Sequence, residues 1–116
     1  MPAPTKVQII NGGYQDALGN PLNAGYLRIR LSQDAVIGTQ QLSAGVTIVV
    51  PLDNTGNVLG AVFLWPTDQM SPTVFYIVAA YTSQGHLVWG PYQETLIHGV
   101  SFDITGWLPI LPDNSN

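Results

Sequence analysis

Gly25-Tyr26-Leu27-Arg28-Ile29-Arg30-Leu31-Ser32-Gln33 is the most legible segment of the chain. Successive side chains of a strand point to opposite faces, so Leu27, Ile29 and Leu31 share one side and Tyr26, Arg28 and Arg30 the other. A period of two over this length predicts a strand with one core face and one face that is wet or meets a partner.

The same kind of segment recurs in both directions from it. Val7 to Tyr14 precedes it, with Gly12-Gly13 marking a bulge or a close backbone approach. After it come Val46 to Leu52 and Val58 to Trp65, which predict a β-hairpin across Asp53-Asn54-Thr55-Gly56-Asn57, Gly56 supplying positive φ and Asp53 side-chain-to-backbone bonds. Thr73 to Thr82 is apolar on both faces, as a central strand is. His86 to Trp89 and Tyr92 to Ile97 are separated by Gly90-Pro91, and Val100, Phe102 and Ile104 alternate as the inward face of a last strand. Asp16-x-x-Gly19-Asn20 and Asp53-x-x-Gly56-Asn57 read as one turn solution used twice, because their flanks do not match.

Nine prolines and twelve glycines interrupt any helical pattern, and apolar residues nowhere recur at i, i+3, i+4, i+7 over three turns. The expected fold is all-β, a single seven-stranded antiparallel β-sandwich of the immunoglobulin-like kind over residues 1–107. Residues 108–116 are expected to be an extended or disordered tail unless a neighbour captures them.

Composition narrows the function classes. The 116 residues carry a net charge of −4, with only Lys6, Arg28 and Arg30 against seven acids, which excludes a phosphate-neutralising surface and so argues against nucleic acid. Without cysteine there is no disulfide framework, thiolate metal site or thiol nucleophile. Charged residues make up 9 %, against about 25 % in an ordinary soluble domain. A surface of amides, hydroxyls and apolar groups tolerates neighbours, since each ion taken from water unpaired costs several kcal/mol where an amide needs only one or two hydrogen bonds. The start, Met1 to Lys6, has no secretory pattern, and Val58 to Trp65 and Val74 to Tyr81 are too short to cross a bilayer as helices, so no membrane partner is expected.

Catalytic chemistry has little to stand on. His86 and His98 lack a second histidine or carboxylate at local metal-ligand spacing. No serine sits in a Gly-x-Ser-x-Gly frame. Asp34, Asp53, Asp68, Glu94 and Asp103 are scattered over turns and strands. Asp53 to Asn57 matches part of a calcium loop, but the closing bidentate acid is replaced by Val58, Leu59 and Gly60. No enzyme activity, cofactor or metal is therefore expected. Trp65, Trp89 and Trp107 each lie within two residues of a proline; exposed in a row they would stack on sugars, buried they would plug the ends of a sandwich, and alternation with Leu87 and Val88 favours burial of Trp89.

The stretch Asp16-Ala-Leu-Gly-Asn-Pro-Leu-Asn-Ala-Gly-Tyr-Leu-Arg-Ile-Arg-Leu resembles the opening of transthyretin-like and carboxypeptidase-regulatory-like β-sandwiches. That resemblance implies a seven-stranded sandwich with its first hairpin turn at Asp16 to Pro21. The hydrolase branch of that group carries a C-terminal Tyr-Arg-Gly-Ser segment, where this chain reads Leu111-Pro-Asp-Asn-Ser-Asn, so the activity is not carried over. Leu52-Asp-Asn-Thr-Gly-Asn-Val, Leu64-Trp-Pro-Thr-Asp, Tyr76-Ile-Val-Ala-Ala-Tyr and Gly85-His-Leu-Val-Trp-Gly-Pro are similar to small domains of tailed-bacteriophage structural proteins: tail, fibre and capsid-associated components. What this second resemblance implies is a virion building block, assembled in the host cytoplasm, whose partners are other virion proteins and copies of itself.

The expected interface residues are Tyr26, Arg28 and Arg30 on the outward face of their strand, with Trp65, Asp68, Trp107, Pro109 and Pro112. Two rivals belong to other classes: a carbohydrate-binding module for a host glycan, and a small hydrolase dependent on His86 or His98.

Overall fold

The computed structural model of the chain describes residues 4–16 and 18–107. Nine strands alternate with loops: β1 (Val7–Ile10), β2 (Tyr26–Leu31), β3 (Ala35–Ile37), β4 (Gln40–Leu42), β5 (Ile48–Pro51), β6 (Val62–Leu64), β7 (Tyr76–Tyr81), β8 (Leu87–Glu94) and β9 (Ser101–Asp103). Two 310 turns, Thr67–Gln69 and Ile104–Trp107, complete the described residues, which contain no α-helix. The fold is all-β.

The strands form three sheets, ordered β6-β1-β9, β5-β2-β7-β8 and β3-β4. This differs from a single seven-stranded antiparallel arrangement in two respects. Ala35 to Leu42 adds a hairpin whose strands pair Ala35 with Leu42 and Ile37 with Gln40 around Gly38-Thr39, Gly38 at φ 58°; a glycine with positive φ at the first of two turn residues is the hairpin pattern that matches strand twist. And β9 runs parallel to β1, Ile9 opposite Phe102, while every other pair is antiparallel.

Alternation along β2 places Leu27, Ile29 and Leu31 in the core, at 0, 0 and 5 % exposure. Val7 and Ile9 of β1, Val50 of β5 and Tyr76, Val78 and Ala80 of β7 join them in one cluster. β7 is central, flanked by β2 and β8. The Gly90-Pro91 pair does not end a strand: β8 runs through it with register shifts between Val78 and Tyr81, Gly90 taking φ 83° against the Val78 carbonyl. A bulge with glycine in the left-handed region absorbs the extra residue.

The hairpin expected from Val46 to Trp65 is half realised. Its turn closes as read, Asp53 N–H donating to the Asn57 carbonyl at 2.8 Å, and Leu52 bridges Val58. Beyond that bridge the chain leaves β5 and enters the other sheet, where Val62, Phe63 and Leu64 pair with Ile9, Gln8 and Val7. Leu64 thereby reaches the core at 5 % exposure. A local turn fixes only the first pairing; burial of the next apolar residue decides where the chain goes.

The two Asp-x-x-Gly-Asn turns are the same object. In each, the aspartate N–H donates to the carbonyl of the asparagine four residues on, and the glycine N–H donates back to the aspartate carbonyl. Asp16 Oδ1 accepts from Leu18 and Asn20 N–H, and Asp53 Oδ1 from Thr55 and Asn57 N–H. Gly19 and Gly56 sit at φ 83° and 81°. Gly56 also presses on the Tyr14 backbone, where any Cβ would meet the Tyr14 carbonyl oxygen.

Candidate interaction surface

The outward face of the β5-β2-β7-β8 sheet is a lattice read directly from its register. Pro51, Tyr26, Tyr81 and Leu87 form one row across all four strands; Val49, Arg28 and Ala79 form the next; Arg30, Ile77 and Gln93 the third. Tyr26 and Tyr81 stack with centroids 5.3 Å apart and planes 9° from parallel, and the Arg28 guanidinium lies 5.6 Å from the Tyr81 centroid. Arg28 and Arg30 are exposed, as are Val49 (57 %) and Leu87 (52 %). Ala79 is the smallest side chain in the lattice, and beside it a concavity of about 200 Å³ opens between Arg28, Arg30, Thr47, Tyr81 and Pro91. Three of the expected interface residues, Tyr26, Arg28 and Arg30, are thus brought together.

The others are not. Trp107 is core: it is 2 % exposed, its indole N–H donates to the Thr95 carbonyl at 2.7 Å, and its ring lies against Phe102. The 310 turn after β9 swings it inward, which strand alternation does not anticipate. Pro109 and Pro112, with the rest of residues 108–116, lie outside the described residues. Trp65 is half-buried, its carbonyl accepting the Tyr76 hydroxyl at 2.6 Å and its ring carrying the Lys6 ammonium 5.7 Å from the centroid. With Val46, Phe63 and Leu42 it lines a second groove of about 380 Å³. Val100, expected inward, is 90 % exposed, while Ile104 is fully buried.

Asp68 does something the sequence did not announce. Its Oδ1 accepts the His98 backbone N–H at 3.0 Å and its Oδ2 lies 2.6 Å from His98 Nδ1. The two residues are 30 apart in sequence, and a clamp brings them together: Thr67 donates its N–H to the Leu96 carbonyl and accepts the Leu96 N–H on Oγ1 at 2.9 Å. His98 is therefore paired with a carboxylate, contrary to its isolation in the sequence. It is 62 % exposed and belongs to no group of three or more His, Cys, Asp or Glu among the described residues.

A contrasting cluster lies under the edge strand β8. Tyr14 and Trp89 meet edge to face at 5.2 Å, Trp89 and Tyr92 at 4.9 Å and 64°. Trp89 is half-buried rather than fully covered. The Tyr14 hydroxyl and the Trp89 indole N–H are buried and make no hydrogen bond among the described residues. Desolvation pushes the nearby Glu94 carboxyl up to about 7, and burial, with the Glu94 charge adding to it, pushes the Tyr14 hydroxyl well above its usual range.

No family model matches the chain, and no curated protein or solved structure matches it either. The function is accordingly argued from the chemistry of these surfaces. No helix among the described residues is long and apolar enough to cross a membrane.

Proposed function

We propose that this protein is a structural subunit of a larger particle, acting through protein–protein interfaces, and that the particle is a phage-like virion. The two larger sheets are taken as the layers of a sandwich, with β3-β4 as an added flap. One observation carries the reading: the outward face of the β5-β2-β7-β8 sheet presents a row of Pro51, Tyr26, Tyr81 and Leu87 across its full width, with Val49 beside it. Contiguous exposed apolar area with a polar margin marks an interaction surface on soluble chains. Low overall charge supports the same reading, since Arg28 and Arg30 are the only ions among the described positions of this face that covering it must pair or desolvate. The phage assignment rests on the sequence resemblance alone. The carbohydrate-binding alternative needs Trp65 and Trp107 exposed as stacking platforms; Trp107 is buried and Trp65 half-buried, so that alternative has less behind it.

Sedimentation velocity at micromolar concentration, with mass spectrometry of gradient-purified particles from the source culture, tests the proposal. Self-association, together with recovery of the chain in the particle fraction, is expected. A strictly monomeric chain absent from every particle fraction would sink it.

A further inference from the structure

Two of the three basic residues of a chain with net charge −4 stand on one sheet face, at alternate positions of one strand. Among the described residues no position of that face is a carboxylate, neither Arg28 nor Arg30 is ion-paired, and the one ion pair is His98 with Asp68. Arg28 is pre-oriented by the Tyr81 ring, Arg30 Nη1 donates to the Leu31 carbonyl at 3.4 Å, and both side chains line the concavity beside Ala79. Two residues along a strand are roughly 6.6 Å apart. An extended partner segment repeats its own side chains at the same interval, so carboxylates at its alternate positions meet Arg28 and Arg30 in register, each able to accept two parallel N–H bonds.

We propose that this face docks an acidic, extended segment of a partner protein, with carboxylates at alternate positions seated on Arg28 and Arg30. The inference rests on the interface reading above and names the chemistry of the partner. The partner segment is not supplied by another copy of this chain: its seven acids, at 16, 34, 53, 68, 94, 103 and 113, include no pair at alternate positions. Asp16, Asp34, Asp53 and Asp103 moreover each have an oxygen engaged by backbone N–H groups of their own chain. A polyphosphate needs more cations than two. A sugar needs an open ring face, whereas stacking covers one face of each of Tyr26 and Tyr81 and the Arg28 guanidinium lies over the Tyr81 ring.

The test is an anisotropy titration with a fluorescein-labelled Thr-Glu-Thr-Glu-Thr-Glu-Thr peptide, its glutamine counterpart, and wild-type, Arg28→Gln, Arg30→Gln and doubly substituted protein. Circular dichroism melts confirm that the variants fold. The glutamate peptide is expected to bind roughly tenfold tighter than the glutamine peptide, with each Arg→Gln change removing a similar factor and added salt weakening the complex. Equal binding of the two peptides, no binding to wild type, or undiminished binding to the double variant overturns the inference. Displacement of the peptide by a sialylated oligosaccharide would reassign the face to acidic sugars and overturn it too. Sedimentation of the same samples separates the two claims: association without peptide binding removes only this inference, whereas peptide binding by a monomer upholds it and removes self-assembly.

Discussion

Two buried polar regions lie at the margins of the same core and are finished very differently. Around Thr67 every group is paired: its hydroxyl and backbone N–H hold both polar atoms of Leu96, and one residue earlier the Thr95 carbonyl accepts the Trp107 indole. Around Tyr14 the hydroxyl and the Trp89 N–H find no partner among the described residues, and desolvation pushes the Glu94 carboxyl up to about 7. The first region ties β8, β9 and the loop after β6 into one unit. The second contributes apolar contact and little else. A buried polar group stabilises only when its partner is present, and a missing partner costs more than the bond is worth.

Substitutions that separate the two regions give the sharpest tests. The largest effect is expected for Trp107→Ala, which empties a core site and leaves the Thr95 carbonyl unpaired; chemical denaturation should show a loss of about 3–5 kcal/mol. A loss within about 0.5 kcal/mol, the range of an ordinary surface change, would return Trp107 to the surface. Thr67→Val keeps the shape but removes the hydroxyl that serves Leu96, and is expected to destabilise by about 1–3 kcal/mol. If the His98 backbone contact to Asp68 depends on that clamp, amide exchange at His98 should accelerate in the same variant.

Glu94 provides the pH-dependent test. Its carboxyl is raised in the folded chain, so folding is favoured where the group is protonated in both states, and stability declines as pH climbs from the ordinary glutamate range to about 7. Glu94→Gln is therefore expected to be more stabilising at pH 8 than at pH 4, on the order of 1 kcal/mol after solvent screening. A variant that tracks wild type at both pH values would show the carboxyl to be solvated. The smallest effect belongs to Tyr14→Phe: deleting a buried hydroxyl without a partner should leave stability within about 0.5 kcal/mol or raise it. A loss as large as that of Thr67→Val would mean the hydroxyl is bonded and erase the contrast.

Much of this was legible residue by residue. Leu27, Ile29 and Leu31 alternate into the core as read, because a period of two has only one translation into an extended chain. Asp16 and Asp53 with their glycines specify matching turns because the aspartate side chain bonds the backbone two and four residues on, within the turn itself. Of the candidate interface, Tyr26, Arg28 and Arg30 followed from the same alternation. The Ala35 to Leu42 hairpin escaped notice because its strands are three residues each, too short for a period to show. Val100 was misassigned because strand periodicity was carried one residue ahead of a strand that begins at Ser101, whereas Ile104 is buried as read; Trp107 was grouped with the tail that follows it, although the 310 turn from Ile104 folds it into the core.

Amino-acid order alone determined the β class, the two aspartate turns, the inward and outward faces of β2 and the scarcity of charge, all properties set within a few neighbouring residues or by composition. Only tertiary structure decided that β6 crosses to pair with β1, that β9 lies parallel to β1, that Asp68 meets His98, and that the strands beside Arg28 and Arg30 bring no carboxylate to their face among the described residues. Those are contacts between segments tens of residues apart, and their free energy comes from joint burial, which no local pattern encodes.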